Sequence, residues 1–181
     1  MMEDLSLHIL DIAENAIAAG ATRIALTVLE DERRDILKIE VSDNGLGMSR
    51  RTLRRALDPF FSSKGKRTGL GLPLLVQAAE QCGGGVAVST AAGKGTKVTA
   101  RFRYAHIDRP PLTKMKETLM ALVIGHAEIE VVYRHNRNGR IYRFRSRRFL
   151  RTSAALKGLD PDSIGRIALD LESGLRKIGR T

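Results

Sequence analysis

The order of helical and strand-like segments constrains this chain more than any other feature of its sequence. Apolar residues first recur at helical spacing, and two strand-like runs separated by a charged turn follow. The predicted elements are a helix over 5–19, strands over 23–29 and 36–42, helices over 49–57 and 70–81, and strands over 86–90 and 96–104. Paired strands with intervening helices predict an α+β fold, in which helices cover one face of a mixed sheet.

A second region begins near residue 107. The segment Asp108-Arg109-Pro110-Pro111 predicts a linker or sharp turn, because consecutive prolines fix φ and remove amide donors. We therefore expect two parts, residues 1–106 and a small basic α/β extension over 107–181. The elements predicted in the extension are a helix over 113–124, a hairpin over 129–146 that turns at Asn138-Gly139, and a helix from Pro161 to about residue 178.

The composition excludes several classes of protein. A single cysteine, Cys82, cannot form a disulfide within the chain or a thiolate metal cluster, and the four histidines lack metal-ligand spacing. The acidic N-terminus does not resemble a signal peptide, and no apolar run is long enough to cross a bilayer. We expect a soluble, cytoplasmic protein that does not enter a membrane.

The first candidate motif pairs Asp11 with Asn15 on the first helix. Residues four apart share one helix face. The carboxylate can accept a proton from a nucleophile, and the amide oxygen can bind a hard cation such as Mg²⁺. The alternative is an ordinary polar helix face.

Three glycine-rich or aromatic motifs follow in order. The first motif, directly after a strand, is Asp43-Asn44-Gly45-Leu46-Gly47-Met48. Its carboxylate can accept a hydrogen bond from an exocyclic amine, and its glycines let a flat ligand approach the backbone. The same segment also suits a β-turn. Residues 58–64, DPFFSSK, combine an aromatic anchor with a lysine, or form a loop pinned by two phenylalanines. Gly69-Leu70-Gly71-Leu72 opens a helix, where backbone amides can bind phosphate.

Together these motifs resemble the GHKL superfamily of ATP-binding domains, which includes gyrase-type topoisomerases, heat-shock chaperones, histidine kinases and MutL-type repair proteins. LHILDIAENAIAAGAT is similar to the N box of that family, and the three later motifs resemble its first glycine box, F box and second glycine box. Gly93-Lys94-Gly95-Thr96 resembles its late G-x-G-T segment. The resemblance covers residues 5–104 and implies the Bergerat α/β sandwich, with a mainly antiparallel sheet, and ATP and Mg²⁺ as cofactors.

The resemblance also implies roles for individual residues. Asn15 would hold the Mg²⁺ ion that bridges the ATP phosphates, and Asp43, with Thr96 close by, would receive the adenine amino group. Asp11 occupies the position of the general base, where Glu is usual, and Glu14 is the weaker candidate because it points about 100° away around the helix. The remaining residues expected to contact the nucleotide are Gly45, Gly47, Met48, Lys64, Thr68, Gly69, Leu70, Gly71 and Leu72.

The resemblance leaves three functions open. The first is a stand-alone regulatory module that binds Mg²⁺·ATP and signals to a partner, with slow hydrolysis through Asp11. The second is a protein kinase of the anti-sigma or histidine-kinase type that acts in trans, with His8 only an ordinary helix-surface residue. The third is an ATP-dependent nucleic-acid clamp. A weaker resemblance, over 107–135, is to small ATP-binding proteins associated with iron hydrogenase systems.

The net charge of +11 lies mainly in the second region, which carries 16 basic and 8 acidic residues over 106–181. Eight arginines fall within 134–151, and in the strand-like run Arg143, Arg145 and Arg147 alternate with Tyr142 and Phe144. This pattern predicts an arginine face that binds an acidic protein partner, or else a plain solvated face. Nucleic acid remains an alternative without a matching motif, and a homodimer is also open.

Overall fold

The computed structural model describes residues 4–57, 71–149 and 159–180. Within them lie five α-helices and six strands, with a short 3-10 turn after the last strand. In chain order these are α1 (Leu5–Ala18), β1 (Arg23–Asp31), β2 (Ile36–Asp43), α2 (Arg50–Leu57), α3 (Gly71–Gln81), β3 (Gly85–Thr90), β4 (Thr96–Arg103), α4 (Met115–Gly125), β5 (Glu130–Arg137), β6 (Arg140–Arg145) and α5 (Pro161–Lys177). Each predicted element is present within a few residues of its expected bounds.

The six strands form one sheet in the order β3-β4-β2-β1-β5-β6. Four neighbouring pairs are antiparallel, and β1 pairs with β5 in parallel. The predicted α+β fold with a mixed, mainly antiparallel sheet is therefore confirmed.

One face of the sheet is covered by helices α1, α3, α4 and α5. Along β1 the side chains that point to this face are buried and those between them are not, as the two-residue period of a strand requires. Ile24, Leu26 and Val28 are each no more than 2% exposed. The core is this single layer between helices and sheet.

The second region of the chain joins the same sheet. Residues Arg23–Glu30 of β1 are in register with Glu130–Arg137 of β5, and β6 adds a further strand at the edge. The segment after the predicted linker is hydrogen-bonded to the start of α1. Leu5 donates its backbone N–H to the carbonyl of Pro111 (2.8 Å), and Asp4 accepts from the backbone N–H of Thr113 (2.9 Å). The two regions therefore share one continuous sheet. The division into residues 1–106 and 107–181 stays a proposal about function.

A buried charged cluster joins the two regions. Glu30 lies on β1 with a fully buried side chain and contacts the ring nitrogen Nε2 of His135 on β5 (2.6 Å). Arg180, just after α5, donates from Nε (2.9 Å) and from Nη2 to the same carboxylate. The hydroxyl of Tyr133 is 2.6 Å from His135 Nδ1, so both ring nitrogens are paired when His135 donates to Glu30 and accepts from Tyr133.

Burial by itself raises the pKa of Glu30, but the hydrogen bonds and charges of His135 and Arg180 outweigh it and lower the pKa to about 2, from an ordinary value of 4.5. A carboxylate that is more acidic in the folded state stabilises the fold at high pH. Its contribution is complete above about pH 4.5 and is lost as the pH falls towards about 2.

None of the helices among the described residues is long and apolar enough to span a membrane.

We predict that Glu30→Gln lowers the free energy of unfolding at pH 7 by about 3 kcal/mol, because Arg180 and His135 lose their buried anion. The variant should also lose most of the stability change of the wild type between about pH 4.5 and about pH 2. Urea unfolding across that range measures both effects. Glu80→Gln, on the exposed surface of α3, is the matched control, and an equal loss in both variants would contradict the assignment.

Candidate functional site

A cavity of about 400 Å³ opens between α1, α2, α3 and the ends of β2 and β4. This volume lies within the range of small-molecule sites in proteins. The cavity brings together six of the residues singled out from the sequence, although they come from four separate segments. They are Asn15, Asp43, Gly47, Met48, Leu72 and Thr96.

Asp43 ends β2 at the floor of this cavity. Its Oδ1 accepts hydrogen bonds from the backbone N–H groups of Gly45 (2.7 Å) and Thr96 (3.3 Å). Among the described residues no donor is paired with its other oxygen, Oδ2. The carboxylate is therefore held rigidly through one oxygen and can accept a ligand hydrogen bond through the other.

Glycines hold the turn after Asp43 against its neighbours. Gly47 has a φ of +64°, and a β-carbon there would lie 2.0 Å from the carbonyl oxygen of Ala91. A β-carbon on Gly45 would lie 2.9 Å from the carbonyl oxygen of Ala19. Side chains at these positions would push the turn away from α1 and from the β3–β4 loop, so the cavity wall requires glycine here.

The turn is also tied to the β3–β4 loop by a hydroxyl that the sequence analysis did not single out. Thr90 Oγ1 accepts from the backbone N–H of Met48 (2.8 Å) and donates to the carbonyl of Gly95 (2.9 Å). It also lies 3.1 Å from Thr96 Oγ1. No motif marks Thr90 in the sequence, because its role depends on the register of β3 with β4.

Asp11 lies outside the lining of the cavity, next to the first residue of α3. A β-carbon on Gly71 would be 2.9 Å from Asp11 Oδ2, so the carboxylate packs directly on the backbone of that glycine. Burial raises the pKa of Asp11, with a further rise from the charge of Glu14 and an opposing effect of His8. A raised pKa makes the carboxylate a stronger base than an exposed aspartate.

The interpretation of His8 as a helix-surface residue was wrong. His8 is 2% exposed, and burial lowers its pKa. The start of α3 covers this part of α1, since Gly71 packs directly on Asp11, three residues after His8. Helical periodicity places His8 on the face of Asp11 and Asn15, but it cannot show that another helix begins on top of that face.

Glu14 is confirmed to point away from the cavity. Its Oε1 lies 3.2 Å from Nε2 of His126, which directly follows α4. Asp11, the other carboxylate of α1, is the one that packs against the start of α3.

Helix α2 contributes lining residues that the sequence analysis missed. Thr52, Arg55 and Ala56 face the cavity. Their spacing of three and four residues is that of one helix face, and this was the signal available in the sequence. Arg55 brings a permanent positive charge to the cavity wall.

Four of the predicted contact residues, Lys64, Thr68, Gly69 and Leu70, lie outside the described residues, as does the DPFFSSK motif. Gly71 is described, and it is the first residue of α3. Leu72, next to it, reaches the cavity.

Among the described residues there is no group of three or more histidine, cysteine or acidic side chains placed to hold a metal ion. The exposed side chain of Asn15 is the oxygen donor of the predicted metal site. A magnesium ion bound here would take its other ligands from phosphate oxygens and water, which is how Mg²⁺ usually binds beside nucleotides.

Residues 3–106 match the family model described as Histidine kinase-, DNA gyrase B-, and HSP90-like ATPase. The chain belongs to this family. Membership implies that the chain binds ATP. The cavity fits such a ligand, because it joins a carboxylate that has an open acceptor to a glycine turn with no room for side chains.

Several curated relatives of this histidine kinase-like ATPase are bacterial sensor proteins. Sensor histidine kinase ZraS of Escherichia coli O157:H7 is 34% identical over 95 residues, which are 52% of this chain and 21% of the relative. Sensor protein DegM of Bacillus sp. (strain B21-2) is 32% identical over 50% of this chain and 24% of its own length. The chain thus spans about a quarter or less of these relatives.

A solved structure described as the N-terminal domain of a DNA repair protein superposes with a TM-score of 0.56. It is 17% identical and covers 75% of this chain and 50% of its own. At this identity the similarity shows a shared fold only.

We predict that Gly47→Ala destabilises the fold by about 2 kcal/mol or more, because its β-carbon would overlap the carbonyl of Ala91 and the residue must keep a positive φ. Gly93→Ala is the matched control, since Gly93 has a φ of +72° but nothing within 4 Å of an added β-carbon. Thermal unfolding of both variants separates the overlap from the backbone strain. An equal loss of stability in the two variants would show that close packing at Gly47 is unimportant.

Proposed function

We propose that this histidine kinase-like ATPase is a Mg²⁺-dependent ATP-binding regulatory module whose nucleotide state is communicated to a protein partner. The observation that carries the proposal is the carboxylate of Asp43, which is fixed through one oxygen and open at the other at the floor of a ligand-sized cavity.

The adenine end of the nucleotide would lie against Asp43 and Thr96. An exocyclic amine donates hydrogen bonds, and Asp43 Oδ2 is an acceptor whose position is held by Gly45 and Thr96 through Oδ1. An acceptor whose position is fixed in this way favours a ligand that donates at that point and penalises one that accepts there. The site therefore supports selection of adenine over guanine.

The phosphates would lie towards Asn15, Arg55 and the start of α3. Asn15 and Arg55 face the same cavity from opposite helices. The N-terminal end of α3 carries the positive end of a helix dipole, which favours anions. When bound, Mg²⁺ would neutralise phosphate charge beside the Asn15 amide.

Asp11 is the proposed general base. It would take a proton from a water molecule that attacks the terminal phosphorus, while the bond from that phosphorus to the leaving ADP oxygen breaks. Burial raises the pKa of Asp11, which favours proton transfer to it. Aspartate is one methylene shorter than glutamate, so we propose that turnover is slow.

Transfer of the phosphoryl group to a partner in trans is the second candidate function. It is favoured by the curated relatives, which include Sensor histidine kinase ZraS and Sporulation kinase C of Bacillus subtilis (strain 168), the latter 32% identical over 48% of this chain and 20% of its own length. The same residues would then act on a partner side chain instead of water. Radiolabel from γ-labelled ATP on a protein distinguishes transfer from release as phosphate.

We predict that Asp43→Asn weakens ATP binding by about tenfold to a hundredfold. In the variant, Oδ1 can keep its two backbone donors, so the NH₂ group of the asparagine would take the place of Oδ2. Two hydrogen-bond donors, this NH₂ group and the adenine amine, would then face each other without an acceptor. Calorimetric titration with ATP, ADP and a non-hydrolysable analogue, each with Mg²⁺, measures the loss. Asp162→Asn, in the first turn of α5, is the control, and unchanged affinity in Asp43→Asn would refute the adenine assignment.

We predict that Asp11→Asn abolishes phosphate release while ATP affinity changes by less than about threefold, because the amide cannot accept the proton. In the wild type, release should increase with pH as Asp11 loses its proton, with a midpoint above the usual aspartate range because burial raises its pKa. Glu14→Gln is the matched control on the same helix, since Glu14 contacts His126 instead. Release that survives in Asp11→Asn would rule out Asp11 as the base.

A further inference from the structure

The described strands are accessible to solvent on the face of the sheet opposite the helices. Three rows of register partners cross all six strands on this face, and none of the eighteen residues in them is buried. From β3 to β6 the rows are Gly85, Arg101, Lys38, Leu29, Asn136, Ile141; then Ala87, Thr99, Glu40, Thr27, Arg134, Arg143; and then Ser89, Lys97, Ser42, Ala25, Val132, Arg145. We call this surface the open face.

The charged side chains of the open face are mostly basic. Its rows contain six basic side chains and one acidic side chain, Glu40, which lies between Lys38 (3.1 Å) and Lys97 (3.4 Å). Arg145 is paired with Glu130 (3.1 Å). Three arginines, Arg101, Arg134 and Arg143, form no ion pair with any described residue.

Two cross-strand pairs on the open face have like charge. Arg134 on β5 is directly opposite Arg143 on β6, and Lys38 on β2 is directly opposite Arg101 on β4. Like charges at opposite positions destabilise a sheet. The fold therefore carries an electrostatic cost here that an external anionic surface would relieve.

The arginines of segment 134–151, which were expected to form one binding surface, lie on different sides of the sheet. Arg134, Arg143 and Arg145 lie on the open face, whereas Arg137 turns to the helix side and contacts Gly179 and Glu32. The arginine surface thus differs from the predicted segment 134–151. It extends across the sheet to Lys97 and Arg101 on β4, from the first region of the chain.

One of the two central strands, β1, has no charged side chain in the rows of the open face. Ala25, Thr27 and Leu29 run along β1, with Val132 beside them on β5. Strand spacing makes the face about 29 Å wide and about 20 Å long, on the order of 600 Å², close to the roughly 800 Å² that one partner buries in a typical protein interface. Protein interfaces commonly combine apolar and polar contacts, as this strip of β1 and its charged neighbours would.

We propose that the open face is the docking surface for a protein partner whose acidic side chains flank an apolar strip. The proposal rests on the regulatory function proposed above and names the surface through which that partner binds. Nucleic acid fits less well, because the rows contain no aromatic side chain on which a base could stack and Glu40 would repel phosphate. A second copy of the same face would meet it with like charge.

The test uses two double variants of the full chain with equal change in charge. Arg101→Glu/Arg143→Glu converts both like-charge pairs into opposite-charge pairs, and Arg51→Glu/Arg54→Glu changes exposed positions on α2, away from the open face. The probes are a fluorescent acidic peptide of glutamate and leucine and an oligothymidylate of similar length. Binding is measured by anisotropy without nucleotide, so that failure of ATP binding does not affect the result.

We expect the open-face variant to bind the acidic peptide at least about tenfold more weakly than the wild type, and the α2 variant less than about threefold more weakly. The melting temperature of the open-face variant should equal or exceed that of the wild type, because each new glutamate faces a cation. A purely structural role for these arginines predicts a lower melting temperature instead.

Four results would overturn the proposal. Equal weakening in both variants would show that the peptide senses only net charge. Tighter wild-type binding of the oligothymidylate, lost in the open-face variant, would assign the face to nucleic acid. A wild type that binds neither probe, or that self-associates through this face in sedimentation experiments, would exclude an acidic partner there.

Discussion

The parallel pairing of β5 with β1 is the contact on which the rest of this structure depends. It turns β1 from an edge strand into a central one, and it brings His135 against Glu30. A buried carboxylate without partners would be strongly unfavourable, so the fold of residues 1–106 relies on His135 and Arg180 from beyond that range. The nucleotide-binding half and the basic extension are therefore coupled by electrostatics as well as by backbone hydrogen bonds.

The same strands serve two surfaces. Asp43 ends β2 in the cavity on the helix side, while Lys38 and Glu40 of that strand lie on the open face. Thr96 begins β4 beside Asp43, and Arg101 further along β4 belongs to the open face. One rigid sheet thus carries a proposed nucleotide site at one end and a proposed partner surface on its back, which is a suitable arrangement for a module that signals.

Local chemistry explains why the elements could be predicted so well. Asn138 and Gly139 both adopt positive φ, at +51° and +87°, as a two-residue hairpin turn needs. Asp160 caps α5 by accepting from Ser163 N–H, with Pro161 at the first helical position. The burial of His8 and the role of Thr90 could not be predicted in this way, because each depends on a residue distant in sequence that only the assembled fold brings near.

Periodicity, capping and glycine motifs act over a few residues, so they were enough to predict the order of the helices and strands, the turns between them and the family to which the chain belongs. Three features are visible only in the assembled fold: the extension enters the sheet next to β1, Glu30 is buried among cations, and arginines from both regions share one open face. The physical reason is that strand neighbours and register are set by the whole packed layer. No local pattern in either strand specifies its partner.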